Sequence, residues 1–389
     1  MITSTARMTV PLTKPLLGEA EELAVIQVLR SGWLVQGPKV AEFEDEVATY
    51  LGAKYAVATS SCTAALHLAL LLHGIEPGDE VIVPSFTFIA TANAVLYTGA
   101  TPVFVDIDPR SYNLDPSAVQ TAITPRTKAI MPVHQLGLAA DMDRLAAIAR
   151  QHDLVLIEDA APAIGATYKG RKVGGLGNAA CLSFHPRKVI TTGEGGMLVT
   201  DSLPMADRAR TLRAHGMSVS DLARHRAERV IFEEYPELGY NYRMTDMQAA
   251  IGIEQLRRLD AMIERRRQIA RRYAEALADV EGLLLPLSSH EAPHTYQSYM
   301  VELQSDLGVN RDQLMQQLLT VGVATRRGVM AIHLEPYYRA QYPRLTLPVT
   351  ETAARRAMLL PIYATMTTAE QDYVIEQFVS ALHTGHRTY

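Results

Sequence analysis

The sequence predicts an α/β protein in which helices cover a mostly parallel sheet, followed by a smaller α+β unit. Short β-rich runs alternate with helical patterns over the first half, and one long helical pattern separates them from the C-terminal third. In chain order, "DEVIVP" (79–84), "TPVFVD" (101–106), "TKAIMPV" (127–133) and "DLVLIED" (153–159) have the apolar content of buried strands. Between them, "TFIATANAVLYTG", "DPSAVQTAI" and "DMDRLAAIARQHD" space apolar residues at helical intervals, with Asp or Thr near each start. "SFHPRKVITTGEGGMLVTD" (183–201) reads as a strand hairpin with its turn at Thr191–Gly196. From Thr245 to about Leu277 one long helix is expected, since little Pro or Gly interrupts the run. Beyond it, "GLLLP", "SYMVEL" and "RDQLMQQLLTVGV" point to the smaller α+β unit. The boundary falls inside the long helix, giving a large domain over 12–255 and a small domain over 256–389.

With 389 residues the chain allows two or three domains and a core of ample size. Apolar residues make up 48% and charged ones 20%, as in an ordinary soluble globular protein. A net charge of −5 gives no electrostatic case for a nucleic-acid partner. Two cysteines, Cys62 and Cys181, are too few for a disulfide framework or a CxxC zinc site, and no metal is expected. The opening "MITSTARMTV" lacks the apolar core of a signal peptide, and the run Ala64–Leu72 is too short to cross a bilayer. A cytoplasmic protein without membrane contact is therefore expected.

Lys188 is the residue that the hairpin does not explain. A lysine is costly at the inner end of a core strand. In a parallel sheet, ligands bind where the carboxyl ends of strands meet helix N-termini. Asp159 follows the apolar "LVLI" at one such end. "TSSCTAALHLAL" (59–70) opens a helix with Ser60, Ser61 and Thr63, and the free N–H groups there suit a phosphate. Taken singly, these hydroxyls read as ordinary caps and Asp159 as a strand-end cap. Taken with Lys188, they supply what pyridoxal phosphate needs: an amine for a Schiff base, a carboxylate beside the ring nitrogen and a phosphate cup.

Further stretches occur in a set order: "SGWLVQGPKVAEFE", "SSCTAALHLAL", "VPSFTFIATANAVLYTGATPVFVDID", "PVHQLGLAADMD", "IEDAAPAIGA", "SFHPRKVITTGEGGMLVTD", "LRAHG" and "GYNYRMTDMQAAIGIEQLRRLD". Together they resemble the DegT/DnrJ/EryC1/StrS family of pyridoxal-phosphate sugar aminotransferases. The resemblance runs from about Lys14 to the closing "LPIYATMTTAEQDYV". It implies the aspartate-aminotransferase type of fold, a seven-stranded α/β/α large domain plus a small C-terminal domain, built as a homodimer. It also implies that Lys188 forms the Schiff base with pyridoxal 5'-phosphate and that Asp159 keeps the pyridine nitrogen protonated. Thr63, Ala64 and Ser183 are implied as the phosphate cup, and Phe88 as the aromatic stacked on the ring. Asn241 of "GYNYR" is implied to reach the cofactor phosphate of the neighbouring subunit, so that active sites are shared. The implied reaction is a ping-pong transfer from an amino donor, usually glutamate, to a keto sugar carried on a nucleotide, with Lys188 moving the proton.

Several positions depart from the family pattern. Pro162 in "EDAAP" stands where many relatives carry Gln or His beside the cofactor hydroxyl. The family's frequent "HYxPLH" becomes "TRRGVMAIH" (325–333): the first histidine is missing, Arg326 and Arg327 are added, and His333 matches. This segment belongs to the substrate side. Its arginines read either as a clamp for a diphosphate or carboxylate or as an exposed structural pair. "ERRRQIARR" (264–272) reads as a solvated helix face rather than a polyanion site. Two rival functions stay on this fold, a non-catalytic regulator and a sugar dehydratase in which histidine replaces the lysine. The presence of both Lys188 and Asp159 favours the aminotransferase. A dinucleotide-binding oxidoreductase fails earlier, because neither "GGLGN" nor "TGEGG" gives GxGxxG after a strand.

Overall fold

A computed structural model of the chain describes residues 8–219, 221–225, 227–287 and 290–385. Helices α1 (Glu19–Ser31) and α2 (Pro38–Leu51) come first. Strands and helices then alternate: β1 (Tyr55–Thr59), α3 (Cys62–Leu72), β2 (Glu80–Pro84), α4 (Ala90–Tyr97), β3 (Thr101–Val105) and α5 (Pro116–Ala122). The alternation continues through β4 (Thr127–Ile130), α6 (Met142–Gln151) and β5 (Val155–Asp159). A short hairpin, β6 (Thr167–Tyr168) and β7 (Arg171–Lys172), precedes β8 (Ala179–Ser183) and β9 (Gly196–Thr200).

The large sheet has seven strands in the order β1-β9-β8-β5-β4-β2-β3. From β3 to β8 every neighbouring pair is parallel, each joined by a crossover. Only β9 runs against its neighbours, because it returns from β8 without a crossover helix. Helices cover both faces. On one, Ala58, Ile82, Ile130 and Leu182 pack with Phe43 of α2 and Leu145 of α6. On the other, Val57, Val81, Ile157 and Cys181 pack with Leu66 of α3 and Val95 of α4. Burial on both faces is why the strands read as continuous apolar runs rather than alternating ones.

After β9 come α7 (Leu203–Leu212), α8 (Asp221–His225), α9 (Asp246–Arg257) and α10 (Leu259–Leu277). The single helix expected over 245–277 is thus two, broken at Arg258 without Pro or Gly at the break. Ile253 and Leu256 of α9 bury in the large core together with Leu259, Met262 and Ile263 of α10, and only further along α10 do Ile269, Tyr273 and Leu277 bury in a second core. The Arg258 guanidinium secures the bend on Glu21 and on the Leu16 carbonyl. The α9 helix also caps a neighbour. Asp246 accepts from the N–H groups of Gly37, Lys39 and Val40, at 2.8, 3.0 and 3.0 Å, at the start of α2.

The second unit comprises β10 (Leu283–Leu284), β11 (Tyr299–Leu303), α11 (Arg311–Thr320), β12 (Arg326–Arg327), α12 (Pro336–Gln341), α13 (Pro348–Arg356), β13 (Ala357–Leu360) and α14 (Thr368–Gly385). Its four strands form an antiparallel sheet in the order β10-β11-β13-β12. Residues near the chain start join it. The Val10 N–H donates to the Gly322 carbonyl at 2.9 Å, and the Ile362 N–H donates to the Leu12 carbonyl at 3.1 Å. The run 264–272 is not wholly a solvated face. Arg271 and Arg272 do lie outside, paired with Glu264 and Asp372. Arg266 is 2% exposed and donates to the carbonyls of Tyr296, Gln297 and Ile362, and burial pushes its guanidinium down to about 10. Among the described residues no helix is long and apolar enough to cross a membrane.

Candidate active site

A cavity of about 470 Å³ opens where the carboxyl ends of β1, β2, β5 and β8 face the second unit. Its size suits a small cofactor with its substrate. Lys188, Asp159, Thr63, Ser183, Phe88 and Arg326 all line it.

Lys188 sits in a tight turn after β8, its N–H donating to the His185 carbonyl at 2.8 Å. The turn is held in place from β9, since the Phe184 N–H donates to the Gly195 carbonyl at 2.9 Å. Burial pushes the Lys188 ammonium below the ordinary lysine value; Cys62 and Asp159 oppose the shift, and Arg187 adds to it. A lowered value raises the share of free amine, the form that attacks a carbonyl and takes up a proton.

Asp159 ends β5 and is 3% exposed. Thr91 donates its hydroxyl to Oδ2 at 2.7 Å, and the Ala161 N–H donates to Oδ1 at 3.1 Å. Burial pushes this carboxyl up, against the pull of Thr91, Ala161 and Lys188. Such a carboxylate is suited to a cationic N–H partner, which would offset its desolvation.

The third part is the start of α3. Ser61 is its N-cap, with Oγ accepting from the Ala64 N–H at 3.2 Å. Thr63 lines the cavity there, together with Ser183 at the end of β8. Ala64 does not line it, and its N–H is already engaged by Ser61. Gly196 permits the close packing beneath: a Cβ there would lie 2.4 Å from the Ser61 carbonyl carbon and 2.5 Å from the Cys62 nitrogen. The amine of Lys188, the buried carboxylate of Asp159 and the N–H groups of a helix start, all at one cavity, fit the parts of pyridoxal phosphate.

The remaining sites named from the sequence fall in different places. Phe88 precedes α4 rather than lying in a helix, and the residue, which lines the cavity, is 56% exposed. Pro162 lines the cavity. Arg327, beside Arg326, pairs with Glu335 at 3.1 Å. His333 does not line the cavity. It is buried, with Nδ1 at 2.7 Å from the Ser85 hydroxyl and Nε2 at 3.4 Å from Glu351, tying the second unit to the end of β2. Asn241 is exposed, bridges to Ala214, and lies outside the cavity of its own chain.

Among the lining residues that received no role from the sequence are Thr91, Arg187 and Gln297. The i, i+4 spacing of Thr87 and Thr91 was the available signal for the first, and their hydroxyls are 3.1 Å apart. Gln297 lies far along the chain and donates its amide to the Arg187 carbonyl at 2.8 Å, a contact without a local sequence signature. Among the described residues no group of three or more His, Cys, Asp or Glu side chains could hold a metal ion.

Residues 15–379 match the DegT/DnrJ/EryC1/StrS aminotransferase family. The chain is 43% identical over 370 residues to the spore coat polysaccharide biosynthesis protein SpsC of Bacillus subtilis, covering 94% of this chain and 95% of that one. It is similar to the crystal structure of the aminotransferase TlmJ from Streptoalloteichus hindustanus (TM-score 0.89, 35% identity, 97% of this chain and 100% of that chain). It is also similar to Helicobacter pylori PseC, an aminotransferase involved in the biosynthesis of pseudoaminic acid (TM-score 0.90, 26% identity, 97% and 100%). With a family match across nearly the whole chain and its seven-stranded fold shared with these enzymes, the chain belongs to the DegT/DnrJ/EryC1/StrS aminotransferase family and is a sugar aminotransferase.

Proposed function

We propose that the enzyme moves an amino group from glutamate to a keto sugar carried on a nucleotide, using pyridoxal 5'-phosphate, as a cytoplasmic homodimer serving amino-sugar biosynthesis. The observation that carries this reading is the convergence of Lys188, Asp159 and the start of α3 on one cavity. When bound, pyridoxal phosphate supplies a carbonyl that takes up amino groups and a protonated ring that draws electrons from the reacting carbon. Lys188 anchors that carbonyl, and its amine then moves the proton at the substrate carbon. Asp159 holds a proton on the ring nitrogen. Thr63 and Ser183 hold the phosphate, and Phe88 covers the ring from the rim. Asn241, outside its own cavity, serves the phosphate in a second copy of the chain.

Support for a sugar acceptor comes from the roles of the relatives, polysaccharide biosynthesis for SpsC and pseudoaminic acid biosynthesis for PseC. Purified enzyme incubated with glutamate and a panel of keto nucleotide sugars, read by mass spectrometry, tests the proposal. An amino sugar is expected only when both substrates are present, and none from Lys188→Ala. A protein that binds the cofactor yet releases no 2-oxoglutarate from glutamate would remove glutamate as the donor. Binding of nucleotide sugars with no turnover under any donor would favour the regulator.

A further inference from the structure

Two arginines on the cavity wall carry charges that no side chain among the described residues answers. Arg187 precedes Lys188 in the turn after β8, and Arg326 opens β12 in the second unit; both side chains line the cavity. Among the described residues neither guanidinium donates a hydrogen bond or forms an ion pair, since the contacts of Arg187 run through its backbone N–H and carbonyl. The adjacent Arg327, by contrast, has found Glu335. Of the acidic side chains at the cavity, Asp159 is engaged by Thr91 and Ala161, and Glu194 is exposed and pairs with neither arginine. Arg326 is fixed by sheet register, opposite Leu359 of β13, which lines the same wall. Burial, and then the field of Arg326, push the Arg187 guanidinium below its ordinary value. A half-buried cation beside a second cation is costly unless a ligand supplies the counter-charge. The planar guanidinium fork suits a carboxylate or phosphate.

We propose that Arg187 and Arg326 form an oxyanion subsite, one arginine from each unit, that receives the anionic group of the substrate at the Lys188 cavity. The inference rests on reading this cavity as the active site of the aminotransferase. An oxyanion there has two sources, the carboxylates of the amino donor and the diphosphate of the nucleotide carrier. Because the two arginines come from different units, an anion held by both would bridge them across the cavity.

Calorimetric titration of the holoenzyme with 2-oxoglutarate in one arm, and with uridine or thymidine diphosphate in the other, tests this. At least one probe should bind the wild type. The same probe should bind Arg187→Gln and Arg326→Gln at least tenfold more weakly, with cofactor loading unchanged. The arm that weakens identifies the source of the anion. Should Arg187→Gln fail to load cofactor because of its nearness to Lys188, Arg326→Gln on its exposed strand decides alone. Wild-type affinity for every probe in both variants overturns the subsite, and so does a wild type that binds no probe. Binding is read without turnover, so the two proposals fail separately. A protein that binds through these arginines but transfers no amino group keeps the subsite and loses the reaction; transfer unaffected by both substitutions does the reverse.

Discussion

Asp159 and Thr91 give the most direct tests at the scale of single residues. An amide at position 159 cannot hold a proton on a ring nitrogen, so Asp159→Asn should keep the cofactor and lose turnover. Steady-state kinetics should show kcat falling far more than KM rises, by about 100-fold or more. Near wild-type turnover would reduce Asp159 to a strand-end cap. Thr91→Val removes the 2.7 Å hydrogen bond to Asp159 Oδ2. That bond favours the charged carboxylate, which burial already disfavours. Losing it should raise the Asp159 value further, so the acid limb of the kcat/KM profile should move to higher pH. A bond to a charged group contributes about 1.5–3 kcal/mol, so a loss of at least about tenfold in kcat/KM is expected. An unmoved acid limb would mean that Thr91 only packs. Residues of this kind mark the limit of sequence reading. Lys188 and Asp159 are legible because charge stands at the ends of apolar strand patterns, where a sheet of this kind places its ligands. Thr91 carries no such contrast, and His333 sits in a matching motif yet spends both ring nitrogens on structure.

Among the elements, β5 shows how a buried charge fixes a strand end. Glu158, adjacent to Asp159 and fully buried, accepts from the N–H groups of Gly174, Leu176 and Gly177 at 3.1, 2.7 and 2.7 Å. His134 lies 2.9 Å away through Nε2, and its Nδ1 accepts from the Ala140 N–H, which places the ring proton on Nε2. Burial works to raise the Glu158 carboxyl, but His134 and the N–H groups of Gly177 and Gly174 outweigh it and hold it below the ordinary 4.5. With the native value lower than the unfolded one, the stabilisation is whole above about pH 4.5 and is lost as pH falls through the native value. Glu158→Gln turns an amide N–H₂ toward these donors and should cost about 3 kcal/mol in denaturant unfolding, while flattening the acid dependence. A variant as stable as the wild type at neutral pH would refute the anchoring role. At this scale, periodicity located β2 to β5 and α4 to α6, because each buries one local pattern. It could not locate the break at Arg258, since α9 and α10 are equally helical and the bend is held by contacts of Arg258 with Glu21 and Leu16, far away in the sequence.

The whole molecule raises the question of which assembly works. The α/β class was legible from alternating runs, because a sheet covered on both faces demands them. The sharing of sites is implied by resemblance and proposed here through Asn241, which is exposed and outside its own cavity. Mixing Lys188→Ala with Asn241→Ala subunits should produce hybrids with one doubly damaged and one intact site. Activity should then rise above that of either parent. If Asn241 serves its own chain, each hybrid site keeps one lesion and mixing returns only the average of the parents.

The pairing of residues 10–12 with Gly322, Ala324 and Ile362 has a consequence for how this gene can be cut. Val10 is fully buried among Tyr273, Val323 and Phe378, so the second unit is stitched from segments more than 250 residues apart in the sequence. No contiguous fragment beginning at Leu259 contains that unit's whole interior. The polypeptide passes between the units ahead of α1 and again along α10, whose Leu259, Met262 and Ile263 bury in the large core and whose Ile269 and Tyr273 bury in the second. The Ile332 N–H on the Ser85 carbonyl (2.8 Å), the Tyr338 hydroxyl on Asn93 (2.6 Å) and the Thr350 N–H on Asp106 (2.7 Å) pin the two units together at further points.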